Sequence, residues 1–118
     1  MEKFLRDRTM RPRCPFCRRE LPPPDEVAGG DWYEFAGGFC ACGAAFAHDP
    51  TARNGGAVLL QAMLMACGGD MEQVLSLAPE EDYEEGWVHH YNGLTHRVEA
   101  NAFGTLYCIR RRKAGVEA

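Results

Sequence analysis

The sequence predicts an α+β protein in three parts: a cysteine-bearing β ribbon at the N-terminus, a helical hairpin, and a C-terminal antiparallel three-stranded sheet. Three observations carry this. Two close cysteine pairs, "CPFC" and "CAC", lie in the first half of the chain. An apolar run, "AVLLQAMLMAC", spans residues 57–67. Finally, "WVHHY-NG-LTHRV" sets two β-type runs around Asn92-Gly93, the preferred dipeptide of a two-residue hairpin loop. With 118 residues, 46% of them hydrophobic, the length is that of about one ordinary domain. A core of that size is modest enough for a cross-link to matter.

Each element follows from local signals. "RPRCPFCRREL" reads as a short strand, a turn at the first cysteine pair and a returning strand, and "PPPDEVAGGD" as a Pro/Gly loop. "WYEFAGGFC" and "AAFAHD" supply two more strands around the second pair. Pro50 ends the strand pattern, and Asn54 is the expected N-cap of a helix running to about residue 67, closed by Gly68 and Gly69. Asp70 with Gln73 three residues on resembles a capping box, which predicts a second helix over about residues 71–77 and hence the hairpin. "APEEDYEEG" is expected to be an acidic connection, with Pro79 opening one more helical turn. A two-residue loop at Asn92-Gly93 would pair Tyr91 with Leu94 and His89 with His96, placing Trp87, His89, Tyr91, Leu94, His96 and Val98 on one face. "TLYCIR" is the third strand of that sheet.

The cysteines point to a metal. Two tight turns, each presenting two thiolates, are the simplest way to build a tetrahedral four-sulfur site. Cys14 and Cys17 have the two-residue gap that lets one turn supply both sulfurs. Cys40 and Cys42 are separated by one residue, and Gly43 lets the chain curl behind them. The 22 residues between the pairs suit a ribbon whose turns meet. The expected ligands are therefore Cys14, Cys17, Cys40 and Cys42, and the expected cofactor is a structural zinc. Iron in the same cage is not distinguished by the ligand set. Cys67 and Cys108, apart from any pair, are read as small buried hydrophobes.

On "CPFC" and "CACG", residues 10–48 resemble a zinc ribbon, the family in which two cysteine knuckles clamp one zinc between short strands. Together with the local signals, the resemblance divides the chain into a ribbon domain over residues 1–49 and an α+β lobe over residues 50–118. It also implies a structural metal in a module that binds nucleic acid or protein. "HDPTARNGG", "ACGGD", "EDYEEG" and "THR" are similar to stretches of small bacterial zinc-ribbon-containing proteins of unassigned function.

Charge is distributed unevenly. The net charge of -4 divides into +4 over residues 1–20, -11 over residues 21–96 and +3 over residues 97–118. Lys3, Arg6, Arg8, Arg11, Arg13, Arg18 and Arg19 at one end, with Arg110, Arg111, Arg112 and Lys113 at the other, are candidate phosphate contacts. Phe16 and Tyr107 beside them are candidate base-stacking aromatics. The acidic middle opposes nucleic acid and favours a protein partner. The N-terminus lacks the apolar stretch of a secretory signal, and the apolar run is shorter than the roughly 20 residues of a membrane span, so a cytoplasmic, membrane-free protein is expected. No nucleophile elbow, phosphate-binding glycine loop or metalloprotease helix occurs, so no enzyme and no small-molecule substrate are expected. The competing possibility is a small enzyme or second metal site built on His89, His96 and nearby carboxylates.

Overall fold

A computed structural model describes residues 9–27 and 33–112 of the chain. Among these residues five strands, β1 (Gly37–Phe39), β2 (Ala45–Asp49), β3 (Tyr83–Asn92), β4 (Arg97–Val98) and β5 (Gly104–Arg111), form one antiparallel sheet in the order β1-β2-β5-β3-β4. Two helices, α1 (Gly55–Ala66) and α2 (Met71–Ser76), lie between β2 and β3 in the chain. The sheet curls into half a barrel.

This corrects the predicted architecture. No separate three-stranded sheet forms, because β2 pairs with β5 along its whole length, from Ala45↔Ile109 to Asp49↔Thr105. The reason lies in β2 itself: Ala45, Phe46, Ala47 and Asp49 are all buried, so the strand is covered on both faces and paired on both edges. The helical hairpin also fails. Helix α1 packs on the sheet, with Val58 and Ala62 against Ala47, Tyr83 and Ile109. Helix α2 has only six residues and buries Val74 alone, meeting α1 near Leu64 and Cys67. Six residues are too few to present a helical stripe to a partner helix.

Strand alternation separates two cores. Phe46, Leu106 and Cys108 project to the face that carries the cysteine turns, while Ala47 and Ile109 project to α1. Across the cysteine face runs the N-terminal segment. Met10 exchanges two hydrogen bonds with Val98 at the β4 edge, and Asp25 exchanges two with Gly37 at the β1 edge. Residues 10–25 thus strap the sheet from one margin to the other, and the expected strands of this segment are reduced to isolated bridges, including Arg13↔Glu20.

The long hairpin differs from its sequence signature. Strand β3 begins at Tyr83, inside the expected acidic connection, because Tyr83 is buried under α1. Pro79 opens no helical turn; it bridges Tyr83, with Glu80 in a left-handed conformation at φ 70°. The Asn92-Gly93 turn is not two residues long. Tyr91 pairs with Val98 and Asn92 with Arg97, and His96 N–H closes the loop on Asn92 O at 2.8 Å. Asn92 Oδ1 accepts the Leu94 N–H at 2.8 Å, and its Nδ2 donates to Glu99, so the asparagine organises a wider loop with its side chain. A bulge between His89 and Tyr91, with His90 at φ 59°, then shifts the alternation by one residue. Tyr91 therefore lands in the core on the cysteine face, away from the face of Trp87 and His89.

Helix α1 starts where Asn54 was expected to cap it, but Asn54 makes no side-chain cap bond. The fully buried Asp49 does the work, accepting from the N–H groups of Thr51, Ala52 and Asn54 and from the Thr51 hydroxyl. Asp70 caps α2 as its spacing predicts, accepting from Glu72 N and Gln73 N.

Candidate metal centre

Two loops of one design hold the four cysteines. In each, the residue after the second cysteine donates its N–H to the carbonyl of the first: Arg18 to Cys14 O at 2.9 Å, and Gly43 to Cys40 O at 2.8 Å. The first cysteine returns its N–H to the next residue along, Cys14 to Arg19 O and Cys40 to Ala44 O, both at 2.8 Å. The residue after the second cysteine is left-handed in both, with Arg18 at φ 71° and Gly43 at φ 96°. The single residue between Cys40 and Cys42 therefore shortens the loop without changing its closure.

The loops meet on the sheet. Cys14 Sγ lies 3.7 Å from Cys42 Sγ and Cys17 Sγ lies 3.5 Å from Cys40 Sγ. All four sulfurs fall within 4.8 Å of one another. A tetrahedral ion with metal–sulfur bonds of about 2.3 Å needs edges of about 3.8 Å, so the group can hold a metal ion. The surroundings fit thiolates. Phe16 N–H points at Cys14 Sγ at 3.4 Å, and the Arg19 backbone N–H pulls the Cys17 thiol down to about 7. Burial pushes Cys14 up to about 12 and Cys40 in the same direction, so a positive ion is what would keep these two ionised.

Three residues from β3 and β5 back the site. Gly86 leaves room for the first loop: a Cβ there would stand 2.7 Å from Pro15 Cγ and 2.9 Å from Pro15 Cβ. Cys108 is buried directly behind the sulfurs, in the cluster that contains Cys14 and Cys40, and burial raises its thiol well above the ordinary range. Arg110 lies with its guanidinium 5.1 Å from the Phe16 ring centroid and forms an ion pair with Glu84 at 2.9 Å. Its pKa is raised first by Glu84 and further by Cys42, so a cation stands beside a cluster that would carry surplus negative charge. Nothing in the spacing of Arg110 or Gly86 announced this role, because it depends on which strand lies under the loop.

The other expected residues are scattered. Arg11, Arg13, Arg18 and Arg19 are exposed on the strap, with Arg13 donating to Arg18 O. Arg110 joins them beside the first loop, whereas Arg111 turns to Gln73 on α2 and Arg112 donates to Glu80 O. Lys3, Arg6, Arg8 and Lys113 lie outside the described residues. Arg110 covers one face of Phe16, and Tyr107 packs into the α1 core, away from the cysteine loops. The facing pair of His89 and His96 does not form. His89 stacks on Trp87, while His96 turns inward, its Nε2–H donating to Leu21 O at 2.8 Å and its Nδ1 accepting from the Tyr91 hydroxyl at 2.6 Å. Among the described residues, no other group of three or more His, Cys, Asp or Glu side chains gathers as metal ligands would. No helix there is long and apolar enough to cross a membrane. Comparison with protein-family models, with curated proteins and with solved structures gives no match to the chain.

Proposed function

We propose that the chain is a zinc-stabilised, non-enzymatic binding module whose partner is a protein. The observation that carries this reading is the convergence of four cysteine sulfurs, from two loops of the same closure, to within 4.8 Å. Cys14, Cys17, Cys40 and Cys42 would hold the ion. With four protein ligands no position remains for water or substrate, so the ion would supply folding energy and not a reaction centre. A protein partner is favoured over nucleic acid because the basic residues of the C-terminal strand leave it in different directions toward Glu84, Gln73 and Glu80.

Metal analysis of protein purified without added metal tests the first half. One zinc per chain in a colourless protein is expected, and Cys17→Ser or Cys42→Ser should lose it. A visible thiolate-to-iron absorption band would assign iron in place of zinc, and a folded N-terminal segment without metal would overturn the reading.

A further inference from the structure

Strand β3 has an open margin beside the metal loop. Its inner edge is paired with β5 from Tyr83 to Tyr91, but its outer edge meets β4 only at Tyr91 and Asn92. Arg112 N–H bonds to Asp82 O on the β5 side. Antiparallel alternation then turns the backbone groups of Glu84, Gly86 and Val88 toward β5, and those of Glu85 and Trp87 outward. Pro79 bridges Tyr83 at one end of this margin, and Glu99 N–H bonds to His90 O at the other. No strand among the described residues pairs with the stretch between. From Glu85 to His89 that is about 14 Å of edge, room for a short extended segment.

The margin opens into a cleft of about 640 Å³. Pro15, Phe16, Tyr83 and Trp87 supply its apolar walls, and Glu80 and Glu85 contribute carboxylates. Trp87 is 45% exposed and stacks within 8° of parallel on His89, forming an aromatic ledge along the edge. The charges are not balanced. Arg110 is paired with Glu84, whereas the side chains of Glu80 and Glu85 join no ion pair among the described residues; Arg112, which also lines the cleft, donates to the neutral Glu80 carbonyl and keeps its charge, so two carboxylates face one cation and the cleft is net negative.

We infer that this margin binds an extended, arginine- or lysine-bearing peptide segment of a partner protein, added as a sixth strand beside β3. The inference rests on the reading of the chain as a metal-stabilised binding module and names that module's partner surface. The outward N–H and C=O groups of Glu85 and Trp87 supply main-chain pairing. Alternate side chains of the segment fall on the Trp87 ledge, and its cations meet Glu80 and Glu85. The same carboxylates repel a phosphate backbone.

The test uses the full chain in its metal-loaded form. A short peptide alternating valine and arginine is titrated while backbone amide shifts and hydrogen exchange are followed, with a valine–glutamate peptide as control. The arginine peptide should shift the amides of residues 84–89 and slow exchange at Glu85 and Trp87. The double variant Glu80→Lys with Glu85→Lys should weaken it by about tenfold or more, as should raised salt. Glu85→Gln, which keeps the side chain's size, should weaken it to a lesser degree and serves if the double variant fails to fold. Equal binding of the acidic peptide, no shift at residues 84–89 with the arginine peptide, or indifference to these substitutions would overturn the inference. So would protection of the same amides by a single-stranded oligonucleotide, or concentration-dependent protection in the free protein, which would mark a second copy of the chain as the occupant. Zinc content measured on the same samples separates the two levels. A loaded, folded protein that ignores the peptide refutes this surface alone, and a folded protein without metal refutes the module beneath it.

Discussion

Arg18 and Gly43 occupy the same place in their loops, yet one carries a side chain in a backbone conformation that disfavours it. At φ 71° a residue with a Cβ is strained by roughly 1–2 kcal/mol, a penalty glycine escapes. Arg18→Gly should therefore retain metal and hold or raise stability by up to about 1 kcal/mol, after the greater freedom of glycine in the unfolded chain is deducted. Gly43→Ala is the mirror experiment. Nothing stands within 4 Å of the added Cβ, so the substitution introduces strain without a clash. It should cost about 1–2 kcal/mol in urea titration with metal stoichiometry intact. A gain in stability for Gly43→Ala would mean that the second loop does not close as described.

At the scale of elements, two junctions set the positions of the metal loop and of α1. Gly86 on β3 receives Pro15, whose ring cannot swing aside, so Gly86→Ala should push the first loop off the sheet. The expected result is a stability loss of roughly 1–3 kcal/mol together with weakened metal retention against a chelator. Unchanged rates of metal transfer to the chelator would show that the loop is not held by this strand. The start of α1 depends on Asp49. Burial would raise its carboxyl, but the four donors from Thr51, Ala52 and Asn54 hold it below the ordinary carboxylate range. Because the folded value lies below the unfolded value of about 3.9, this stabilisation is present above that pH and is lost as pH falls through the folded value. Asp49→Ala should cost about 1–3 kcal/mol at neutral pH and should flatten the acid limb of the stability profile. An unaltered limb would place the acid sensitivity elsewhere.

On the scale of the whole molecule, the metal site and the sheet share one core. Cys14 and Cys40 are buried in the same cluster as Phe46 of β2, Tyr91 of β3 and Leu106 and Cys108 of β5. Without a bound ion, four thiols would face that cluster, and the strap would be held at its two margins, by Met10–Val98 and Asp25–Gly37. Chelation is therefore expected to lower the melting temperature of the entire chain in one transition, followed by circular dichroism at both helix and aromatic wavelengths. Two separate transitions would support a division between residues 1–49 and 50–118.

Local chemistry made several features legible in the sequence. The four cysteines, the left-handed glycine after Cys42, the Asp70 cap and the span of α1 follow from spacing, capping residues and an apolar run, all of which act within a few residues. Strand β5 was visible in "TLYCIR" for the same reason. What neighbours each element acquires was not legible. The pairing of β2 with β5 joins segments some sixty residues apart, and only burial on both of their faces selects it. The Asn92-Gly93 signal pointed to a tight turn, but Tyr91 and His96 gain buried partners in Leu21, Phe46 and each other only if the loop widens and β3 bulges. Local preference there is outweighed by packing across the sheet. The sequence by itself determined which residues can bind a metal and where helices can start. The tertiary structure alone decided that the metal loops lie on a five-stranded sheet, because the contacts that hold them there come from strands whose alternation and register depend on one another.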